Sequence, residues 1–500
     1  MSSALLRNRN PSASRGKRHF LTGAAVVCLA VPLVIPLSRA HADTLPTLHD
    51  PNLAVRVLAS GFDRPVAMTF LPDHSAFVLE KYKGKVQRLF PDGTRTQVLD
   101  LDVNSNSAFV AERGLLNIAL HPDFPATPYV YLYYTASNTG ADSEPVGATD
   151  INASRLDRFV WDGTSLTFDK NLITLRTKRN DPGFAERGGH HGGGLGFGPD
   201  GKLYLLDGDT GRRGLLQNLA CGPTTVCPGP IVQDDQYGGP LPDDKHLTGV
   251  ILRLNDDGTA PPSNPYWGIG NAMGGEVGAN LQKVWAYGVR NGFGLDFDPV
   301  SGNLWDAENG EDSFDEINRV DRGFNGGWWR IMGPVSRYDQ FRQIETNEFP
   351  AEQEPRFGLH DHMAATAEEA LAGLVHLPGS HYTDPEFSWK YGVPPAGLGF
   401  LHGDGLGKEY ADNMFVGAAA RGVGQVLRFR LTTNRKHITT DDPRLADNVA
   451  DNTTKFDLTE SESLVFGENF GVITDLLTDP NGDLDLVDVV SGNIYQVYRR

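Results

Sequence analysis

One short pattern returns six times along this chain and constrains its fold more than any other feature. Each copy is an apolar run, a turn of the Pro-Asp-Gly kind and a second apolar run. Proline presets φ for a turn and Asp-Gly closes it, so each copy predicts a β-hairpin. The copies are AMTFLPDHSAFVLE (67–80), NIALHPDFPATPYVYLYYT (117–135), LGFGPDGKLYLLDGD (195–209), LDFDPVSGNLWDAENG (295–310), LGFLHGDGLGKEYADNMFVGA (398–418) and DLLTDPNGDLDLVDVV (475–490).

Six hairpin-centred units predict an all-β fold, a six-bladed β-propeller of four-stranded antiparallel blades with long loop insertions. The composition agrees, with 57 glycines and 32 prolines and short β-rich runs between turn signals. Two β-sandwich domains are the alternative that the pattern leaves open. In a propeller the inner strands and their loops converge on the mouth of a central channel, which is where we expect a binding site.

The first 42 residues predict a secretory signal peptide ahead of a single domain at 43–500. A basic start precedes an apolar run at 20–37, and RAHAD offers a small-residue cleavage site after Ala42. A transmembrane anchor is the alternative, which Pro32 and Pro36 disfavour. We therefore expect a periplasmic or secreted protein.

The charge of the chain argues against two classes of partner. The leader holds six basic and no acidic residues, so its removal takes the formal net charge from −18 to −24. Such a negative protein is unsuited to nucleic acid and to anionic membranes. No later apolar run is long enough to span a bilayer.

Two cysteines remain beyond the leader, Cys221 and Cys227 in CGPTTVC. An oxidising compartment favours a disulfide that closes this small loop. A zinc site would need further ligands nearby, and none is evident.

Two histidines, His190 and His191, stand against a run of glycines in ERGGHHGGGLGFGPDGKLYLLDGD (186–209). Histidine exchanges a proton near neutral pH, and glycine lets the backbone approach a ligand closely. The pattern suggests a flat or bulky ligand that lies over a proton acceptor. A satisfied polar turn is the alternative that these residues alone leave open.

This stretch is one of a set of motifs that occur in a fixed order along nearly all of residues 53–499. They are ERGLLNIALHPDF, HHGGGLGFGPDGKLYLLDGD, GVILRLNDDGTAPPSNPY, VWAYGVRNGFGLDFDPVSGNLWDAENG, DEINRVDRGFNGGWW, YTDPEFSW and FVGAAARG. The set resembles the soluble glucose/sorbosone dehydrogenases, a family of six-bladed propeller quinoproteins dependent on pyrroloquinoline quinone (PQQ). The resemblance implies PQQ, calcium, oxidation of a sugar or related alcohol, and an external electron acceptor.

The resemblance also implies roles for five residues. His190 matches the family's catalytic base, and Asp209 matches its carboxylate partner. Removing a hydride from a carbinol carbon requires taking the hydroxyl proton as well, which suits a nearly neutral imidazole. Arg290 and Asn291 match a pair that contacts the quinone, whose oxygens gain negative charge as hydride arrives. Glu112 stands where the glucose enzymes carry an amide, and the resemblance implies a contact with the sugar or the cofactor; capping of its own loop is the alternative.

Calcium is implied by ENGEDSFDEIN (308–318), because hard cations take carboxylate and backbone oxygens. In the family, the backbone carbonyls at Gly310 and Glu311 hold the calcium that polarises the quinone. Glu316 and the Gly326 carbonyl match ligands of a second, structural calcium. A merely solvated acidic loop is the alternative.

The chain departs from the family at the clamp for the cofactor's carboxylates. A lysine and an R-x-R pair are replaced by Ala420, Val472 and Thr474. Losing three cations predicts weaker binding of a tricarboxylate, since charge-assisted pairs are the strong ones. The candidate substitutes are Arg421, Arg330 and Arg212. Two alternatives follow: a calcium-dependent propeller lactonase or other hydrolase without quinone, and a cofactor-free binding module for extracellular carbohydrate.

Overall fold

A computed structural model of the chain describes residues 45–105, 112–143, 151–175, 177, 189–210, 247–348 and 363–500. The described part consists mainly of β-strands. The strands of its first half are β1 (Thr47–Leu48), β2 (Leu53–Ala59), β3 (Pro65–Phe70), β4 (Ala76–Glu80), β5 (Lys85–Leu89), β6 (Arg95–Asp100), β7 (Leu115–Leu120), β8 (Tyr129–Ser137), β9 (Ile151–Trp161), β10 (Leu166–Leu175), β11 (Leu195–Phe197), β12 (Leu203–Asp207) and β13 (Val250–Leu254).

The remaining strands, β14 to β29, lie in the second half of the chain. They are β14 (Val284–Tyr287), β15 (Gly292–Phe297), β16 (Leu304–Glu308), β17 (Ser313–Arg319), β18 (Phe324–Asn325), β19 (His381–Tyr382), β20 (Phe387–Tyr391), β21 (Pro395–Phe400), β22 (Met414–Ala418), β23 (Gln425–Leu431), β24 (Ile438–Thr439), β25 (Val449–Ala450), β26 (Val465–Glu468), β27 (Ile473–Thr478), β28 (Leu484–Asp488) and β29 (Asn493–Arg499).

The described helices are short and lie between strands. The α-helices are α1 (Trp267–Met273), α2 (Gly275–Leu281), α3 (Tyr338–Gln343) and α4 (Ala367–Ala372). Single turns of 3₁₀-helix cover Val335–Arg337, Ala420–Gly422, Pro443–Leu445 and Glu462–Leu464, and a π-helical turn covers Ile344–Glu348. None of the helices that the structure describes is long and apolar enough to cross a membrane.

The described strands form six sheets, which we number in chain order. Sheet I is β3-β4-β5-β6, sheet II is β7-β8-β9-β10, sheet III is β11-β12-β13-β14-β18-β19, sheet IV is β15-β16-β17-β20-β25, sheet V is β21-β22-β23-β26-β1 with β24 on β23, and sheet VI is β27-β28-β29-β2. The first strand of each sheet contacts the first strand of the next, and the circuit returns from β27 to β3. The N-terminal β2 completes sheet VI by pairing antiparallel with the C-terminal β29. The structure confirms the predicted all-β class and propeller fold.

Each of the six repeated sequence patterns forms the hairpin of the first two strands of one sheet. In sheet III, for example, Gly201 has φ +68° in the turn between β11 and β12, and its N–H donates to the carbonyl of Gly198 at 2.9 Å. Because glycine adopts positive φ without steric cost, Asp-Gly closes the turn as predicted.

The second strand of five of these hairpins is buried along its whole length, namely β4, β12, β16, β22 and β28. Such strands read as short, mainly apolar runs because neighbouring sheets cover both of their faces. Four of them nevertheless end in a carboxylate: Glu80, Asp207, Glu308 and Asp488. Three of these carboxylates accept a backbone N–H from the loop that leads into the first strand of the same sheet. The polar strand ends therefore mark one rim of the molecule.

The predicted leader and its cleavage site after Ala42 lie outside the described residues, as do Cys221 and Cys227. The chain divides after Val34, and the described residues all belong to the second unit, Ile35–Arg500. The boundary at residue 42 and the disulfide stay predictions.

Candidate functional site

Five of the predicted site residues meet at the rim where first strands begin and second strands end. Glu112 precedes β7, His190 precedes β11, Asp209 follows β12, and Arg290 and Asn291 lead directly into β15. These positions belong to sheets II, III and IV, and the site therefore depends on the packing of three hairpins.

His190 and Asp209 form the centre of the cluster. His190 Nδ1 lies 2.7 Å from Asp209 Oδ1. The side chain of His190 is 19% exposed, whereas that of Asp209 is fully buried. Gly208 allows the His190 backbone to approach this closely, because a Cβ at position 208 would lie 2.2 Å from the carbonyl oxygen of His190. His190 itself has φ +54°, a left-handed conformation that is uncommon for residues other than glycine. The backbone is thus shaped to present this imidazole.

Arg290 lies against the free edge of that imidazole. Its Nη2 is 3.3 Å from His190 Nε2, and its Nη1 donates to the carbonyl of Asn309 at 2.9 Å. Its Nε donates to Glu311 Oε2 at 3.1 Å, and Nη2 donates to the same oxygen. Burial acts to lower the pKa of Arg290, but the Glu311 and Asp209 carboxylates outweigh it and raise that pKa. The guanidinium is therefore a fixed positive charge beside His190.

Glu112 joins the histidine to Asn291. One of its carboxylate oxygens accepts the backbone N–H of His190, and the other accepts Asn291 Nδ2 at 3.0 Å. Burial acts to raise the pKa of Glu112, but the charge of His190, the hydrogen bond from its backbone and the charge of Arg290 outweigh it and lower that pKa. The side-chain oxygen of Asn291 is buried and has no hydrogen-bond partner among the described residues.

Sequence reasoning missed two residues that support this cluster. Trp328 donates its indole N–H to Asp209 Oδ2 at 2.7 Å, and the Arg290 guanidinium lies 5.4 Å from the centre of its ring. Glu308 accepts the backbone N–H of Arg290. Both residues occur in motifs of the resemblance, GGWW and AENG, but nothing local to either motif points to Asp209 or to the Arg290 backbone.

Lys455 is a further missed residue, and it brings a cation to the edge of the cluster. Its ammonium forms an ion pair with Asp312, which is buried. Burial lowers the pKa of Lys455, while the charge of Glu311 acts to raise it. Asp312 directly follows Glu311 in the chain, so Lys455 lies close to the carboxylate that holds Arg290.

One face of sheet IV carries a group of buried polar side chains beside the cluster. The register pairs Glu308 with Glu316 and Asp306 with Asn318. Burial and the charges of Glu316 and Asp306 raise the pKa of Glu308 well above its ordinary value. Burial likewise raises the pKa of Asp306 to about 7 and that of Glu316 to about 8. Glu308 Oε2 and Asn318 Oδ1 are buried without a hydrogen-bond partner among the described residues.

The four residues predicted to hold calcium lie in and next to this region. The N–H of Gly310 donates to Asp315 Oδ1 at 2.8 Å, and the carboxylate of Glu311 is used by Arg290. Glu316 accepts the N–H of Gly333 at 2.5 Å. Gly326 follows β18, and its N–H donates to the carbonyl of Tyr287 at 3.0 Å.

Within the described ranges, no three His, Cys, Asp or Glu side chains converge closely enough to hold a metal ion. Three of the four predicted calcium contacts are backbone carbonyls, those of Gly310, Glu311 and Gly326, and such contacts do not need a cluster of acidic side chains. The fit of calcium therefore depends on the chemistry of the donors, which here are hard oxygens.

The predicted clamp positions carry no cation. Ala420 is fully buried in an apolar cluster, Val472 pairs through its backbone with Val489, and Thr474 donates to the carbonyl of Val487 at 3.4 Å. The backbone of Arg421 lies in the 3₁₀ turn Ala420–Gly422, and its side chain lies outside the described part, as does Arg212.

The second histidine of the HHGG motif is buried against sheet II. His191 is fully buried, its Nδ1 lies 3.4 Å from Ser154 Oγ, and its carbonyl accepts the Tyr133 hydroxyl at 3.2 Å.

Comparison with known proteins supports the resemblance that the motifs predicted. The family model described as Glucose / Sorbosone dehydrogenase matches residues 62–371. Aldose sugar dehydrogenase YliI of Escherichia coli (strain K12) is 26% identical over 366 residues, which cover 73% of this chain and 77% of that protein. Quinoprotein glucose dehydrogenase B of Acinetobacter calcoaceticus is 30% identical over 284 residues, which cover 56% of this chain and 53% of that protein.

The fold has a counterpart among solved structures. The PQQ-bound form of an aldose sugar dehydrogenase from Streptomyces coelicolor superposes with a TM-score of 0.53 at 20% identity, covering 90% of this chain and 99% of that one. The family model spans well over half of the chain and includes every residue of the His190 cluster. The chain belongs to the glucose/sorbosone dehydrogenase family.

Proposed function

We propose that this protein is an exported PQQ- and calcium-dependent oxidoreductase that oxidises an aldose or a related sugar alcohol or aldehyde. The observation that carries the proposal is the arrangement of His190 between a buried carboxylate and a buried guanidinium. Aldose sugar dehydrogenases among the relatives, one of them solved with PQQ bound, agree with this substrate class and this cofactor.

The hydrogen bonds of His190 support its proposed role as a general base. Asp209 accepts at Nδ1, and the only donor facing Nε2 among the described contacts is Arg290 Nη2. A carboxylate at Nδ1 and a donor at Nε2 favour the neutral tautomer that carries its proton on Nδ1. When a sugar hydroxyl takes the place of Arg290 Nη2 at Nε2, the lone pair of Nε2 takes the hydroxyl proton while the carbon gives up its hydride, and Asp209 stabilises the imidazolium that forms.

Arg290 supplies positive charge where negative charge grows. Two hydrogen bonds to Glu311 and one to the Asn309 carbonyl fix the guanidinium before the reaction begins. Donors that are preorganised in a buried site stabilise developing charge without reorganising. Glu112 acts as a positioning residue, because it holds the His190 backbone and the Asn291 amide at the same time.

The donor set on this side of the site fits a quinone. Arg290 offers N–H donors, and the buried Asn291 oxygen, which has no partner among the described residues, suits an N–H or hydroxyl group on a ligand. When bound, PQQ would supply the acceptor for the hydride, held by Arg290 and Asn291. The three carboxylates of PQQ would need cations that Ala420, Val472 and Thr474 do not offer.

Calcium fits the oxygen-rich region of sheet IV. We propose the Gly310 and Glu311 carbonyls for the ion beside the quinone, and Glu316 with the Gly326 carbonyl for the structural ion. Glu308 Oε2 and Asn318 Oδ1, which are buried without a partner in the described part of the chain, support a cation there, since buried polar and anionic groups are costly without compensation.

Three further points belong to this proposal. The six sheets correspond to six blades, each built on one repeated hairpin and closed in a ring by β2. The leader is cleaved after Ala42, and the mature protein is periplasmic or secreted with a Cys221–Cys227 disulfide. Electrons leave to an external acceptor.

The neutral clamp favours a second candidate, a propeller that has lost PQQ and works as a calcium-dependent hydrolase or as a carbohydrate-binding module. Reconstitution separates the candidates. The mature protein is mixed with calcium and PQQ and assayed for dye reduction with a panel of aldoses, alongside lactone hydrolysis and glycan binding. Sugar-dependent dye reduction supports the oxidoreductase. Hydrolysis or glycan binding without PQQ binding would replace it with the second candidate.

A further inference from the structure

A buried carboxylate that belongs to none of the motifs of the family resemblance contacts the loop 309–313, which we call the site loop. Glu345 lies in the π-helical turn Ile344–Glu348 and is 1% exposed. Its Oε1 accepts the backbone N–H groups of Asp312 and Ser313, both at 3.1 Å, and the Ser313 hydroxyl at 2.6 Å. Three donors on one oxygen fix the end of the site loop to a helical segment 33 positions later in the chain.

The contact with Glu345 sets the direction of one carbonyl in the site loop. The peptide between Glu311 and Asp312 is trans, and in a planar trans peptide the N–H and the C=O point in opposite directions. The N–H of this peptide donates to Glu345. The Glu311 carbonyl therefore points away from Glu345. It is one of the two carbonyls that we propose for the calcium beside the quinone.

The first peptide of the site loop shows the same relation. Its N–H, that of Gly310, donates to the buried Asp315 Oδ1 at 2.8 Å, and its carbonyl, that of Asn309, accepts Arg290 Nη1 at 2.9 Å. A Cβ at Gly310 would lie 2.0 Å from the carbonyl oxygen of Ser313, so the loop turns tightly between these two residues. Two buried carboxylates thus hold the loop by its N–H groups, and the carbonyls of the same peptides point the other way.

Backbone conformation and packing join the site loop to the helical segment 335–348. Phe314 directly follows the loop and has φ +56°, which is strained for a bulky side chain. Its ring is fully buried and lies edge-on to that of Phe341, with the ring centres 6.4 Å apart. Phe341 and Ile344 belong to the same apolar cluster as Trp328, the residue that supports Asp209. Strained residues of this kind persist where their surroundings hold them, and they concentrate at functional sites.

The charge of Glu345 gives a second reason to connect it with a cation. Its other oxygen, Oε2, is buried and has no hydrogen-bond partner among the described residues. A buried anionic group is costly without compensation. The neighbouring carboxylate of Glu311 is paired with Arg290. A cation at the Glu311 carbonyl would be separated from Glu345 by a single peptide group and would supply that compensation.

We propose that Glu345 is a positioning residue, which turns the Glu311 carbonyl toward the calcium beside the quinone and balances part of the charge of that ion. The inference rests on the proposed function, since the calcium belongs to that proposal. Glu345 acts through the N–H groups of Asp312 and Ser313. A residue that only anchored the helical segment 335–348 would affect stability and leave calcium affinity unchanged.

The test measures calcium binding without turnover. Calcium is titrated calorimetrically into the mature protein after metal has been removed with EDTA, for wild type, Glu345→Met and Glu345→Gln. We expect the calcium Kd to rise about ten- to hundredfold in Glu345→Met, the usual effect of changing a residue that orients a metal ligand. The rise should be smaller in Glu345→Gln, because an amide oxygen still accepts the two N–H groups. Glu316→Gln, at the other proposed ion, identifies which binding step belongs to which site.

Asp479→Ala is the matched control. Asp479 is also a buried carboxylate that accepts two backbone N–H groups, those of Asn481 at 2.7 Å and Asp483 at 2.9 Å. It lies in the turn between β27 and β28, at the opposite rim. Thermal unfolding without calcium is measured on every variant. The control should lose stability and keep the calcium Kd of wild type.

The outcomes separate this inference from the proposed function, because PQQ is titrated into wild type in parallel. Wild-type calcium affinity in both Glu345 variants refutes the positioning role, and the proposed function stands if wild type binds PQQ. If wild type binds calcium but no PQQ, the proposed oxidoreductase fails, and the calcium Kd values still decide the role of Glu345. If wild type binds no calcium, the positioning role and the proposed calcium dependence are both refuted.

Discussion

Two halves of the candidate site lie on one rim but are built from different kinds of residue. On sheets III and IV, His190, Asp209 and Arg290 contact one another through charged hydrogen bonds. On sheets V and VI, the corresponding rim positions are the neutral Ala420, Val472 and Thr474. In our proposal the first half carries the groups that would move a proton and meet developing charge, whereas the second half lacks cations that would hold an anionic cofactor.

The difference indicates which part of the site tolerates replacement. A general base and its carboxylate must meet within hydrogen-bond distance, so a change in either removes the function. Cations that hold a polyanion act over longer distances and can be supplied from a neighbouring sheet. Each prediction below separates loss of chemistry from loss of binding.

Replacing the base is expected to have the largest effect. His190→Ala should lower turnover by about two to four orders of magnitude, the usual contribution of a positioned general base. PQQ affinity, measured by fluorescence quenching, should change little because the imidazole acts on the substrate proton. His402→Ala, in the turn at the opposite rim, should leave both quantities unchanged. A large loss of affinity in His190→Ala would contradict the division between the two halves.

Arg290→Ala should affect both quantities. We expect about a hundred- to thousandfold lower turnover, as when a donor to developing charge is removed, together with weaker PQQ binding. Arg290→Lys should recover part of the binding but little of the turnover, because a lysine cannot make the forked contact with Glu311. Steady-state dye reduction and a PQQ titration on the same samples measure the two effects. Turnover close to wild type in Arg290→Ala would show that Arg290 takes no part in the chemical step.

The smallest effect on turnover is expected from Trp328, which contacts the carboxylate partner of His190. Trp328→Phe removes the indole N–H that donates to Asp209. Turnover should fall about five- to tenfold, because the carboxylate that orients His190 loses a hydrogen bond to a charged acceptor. Trp285→Phe is the matched control, since its buried indole nitrogen has no hydrogen-bond partner among the described residues. Equal effects in the two variants would point to packing rather than to the support of Asp209.

The hairpins and the central site residues were accessible from the sequence because their signals are local or ordered along the chain. Pro-Asp-Gly turns fix a hairpin within about fifteen residues, and HHGG and GVRN each place a site residue directly before a first strand. What the sequence did not reveal depends on contacts between sheets. Trp328 meets Asp209 across 119 positions, and the parallel additions β18, β19 and β25 follow no alternating pattern of their own.

The clamp positions were identified as neutral from the sequence. Of the candidate substitutes Arg421, Arg330 and Arg212, the structure describes the side chain of Arg330 alone, which lies over Trp329.

The most direct test of the account is an equilibrium titration of PQQ into the calcium-loaded mature protein, carried out on wild type and His190→Ala side by side with dye reduction. We predict saturable binding at micromolar PQQ in both proteins, and sugar-dependent dye reduction in wild type alone. No binding by wild type at micromolar PQQ with calcium present would contradict the account, and would make a hydrolase or a carbohydrate-binding module the better description of this propeller.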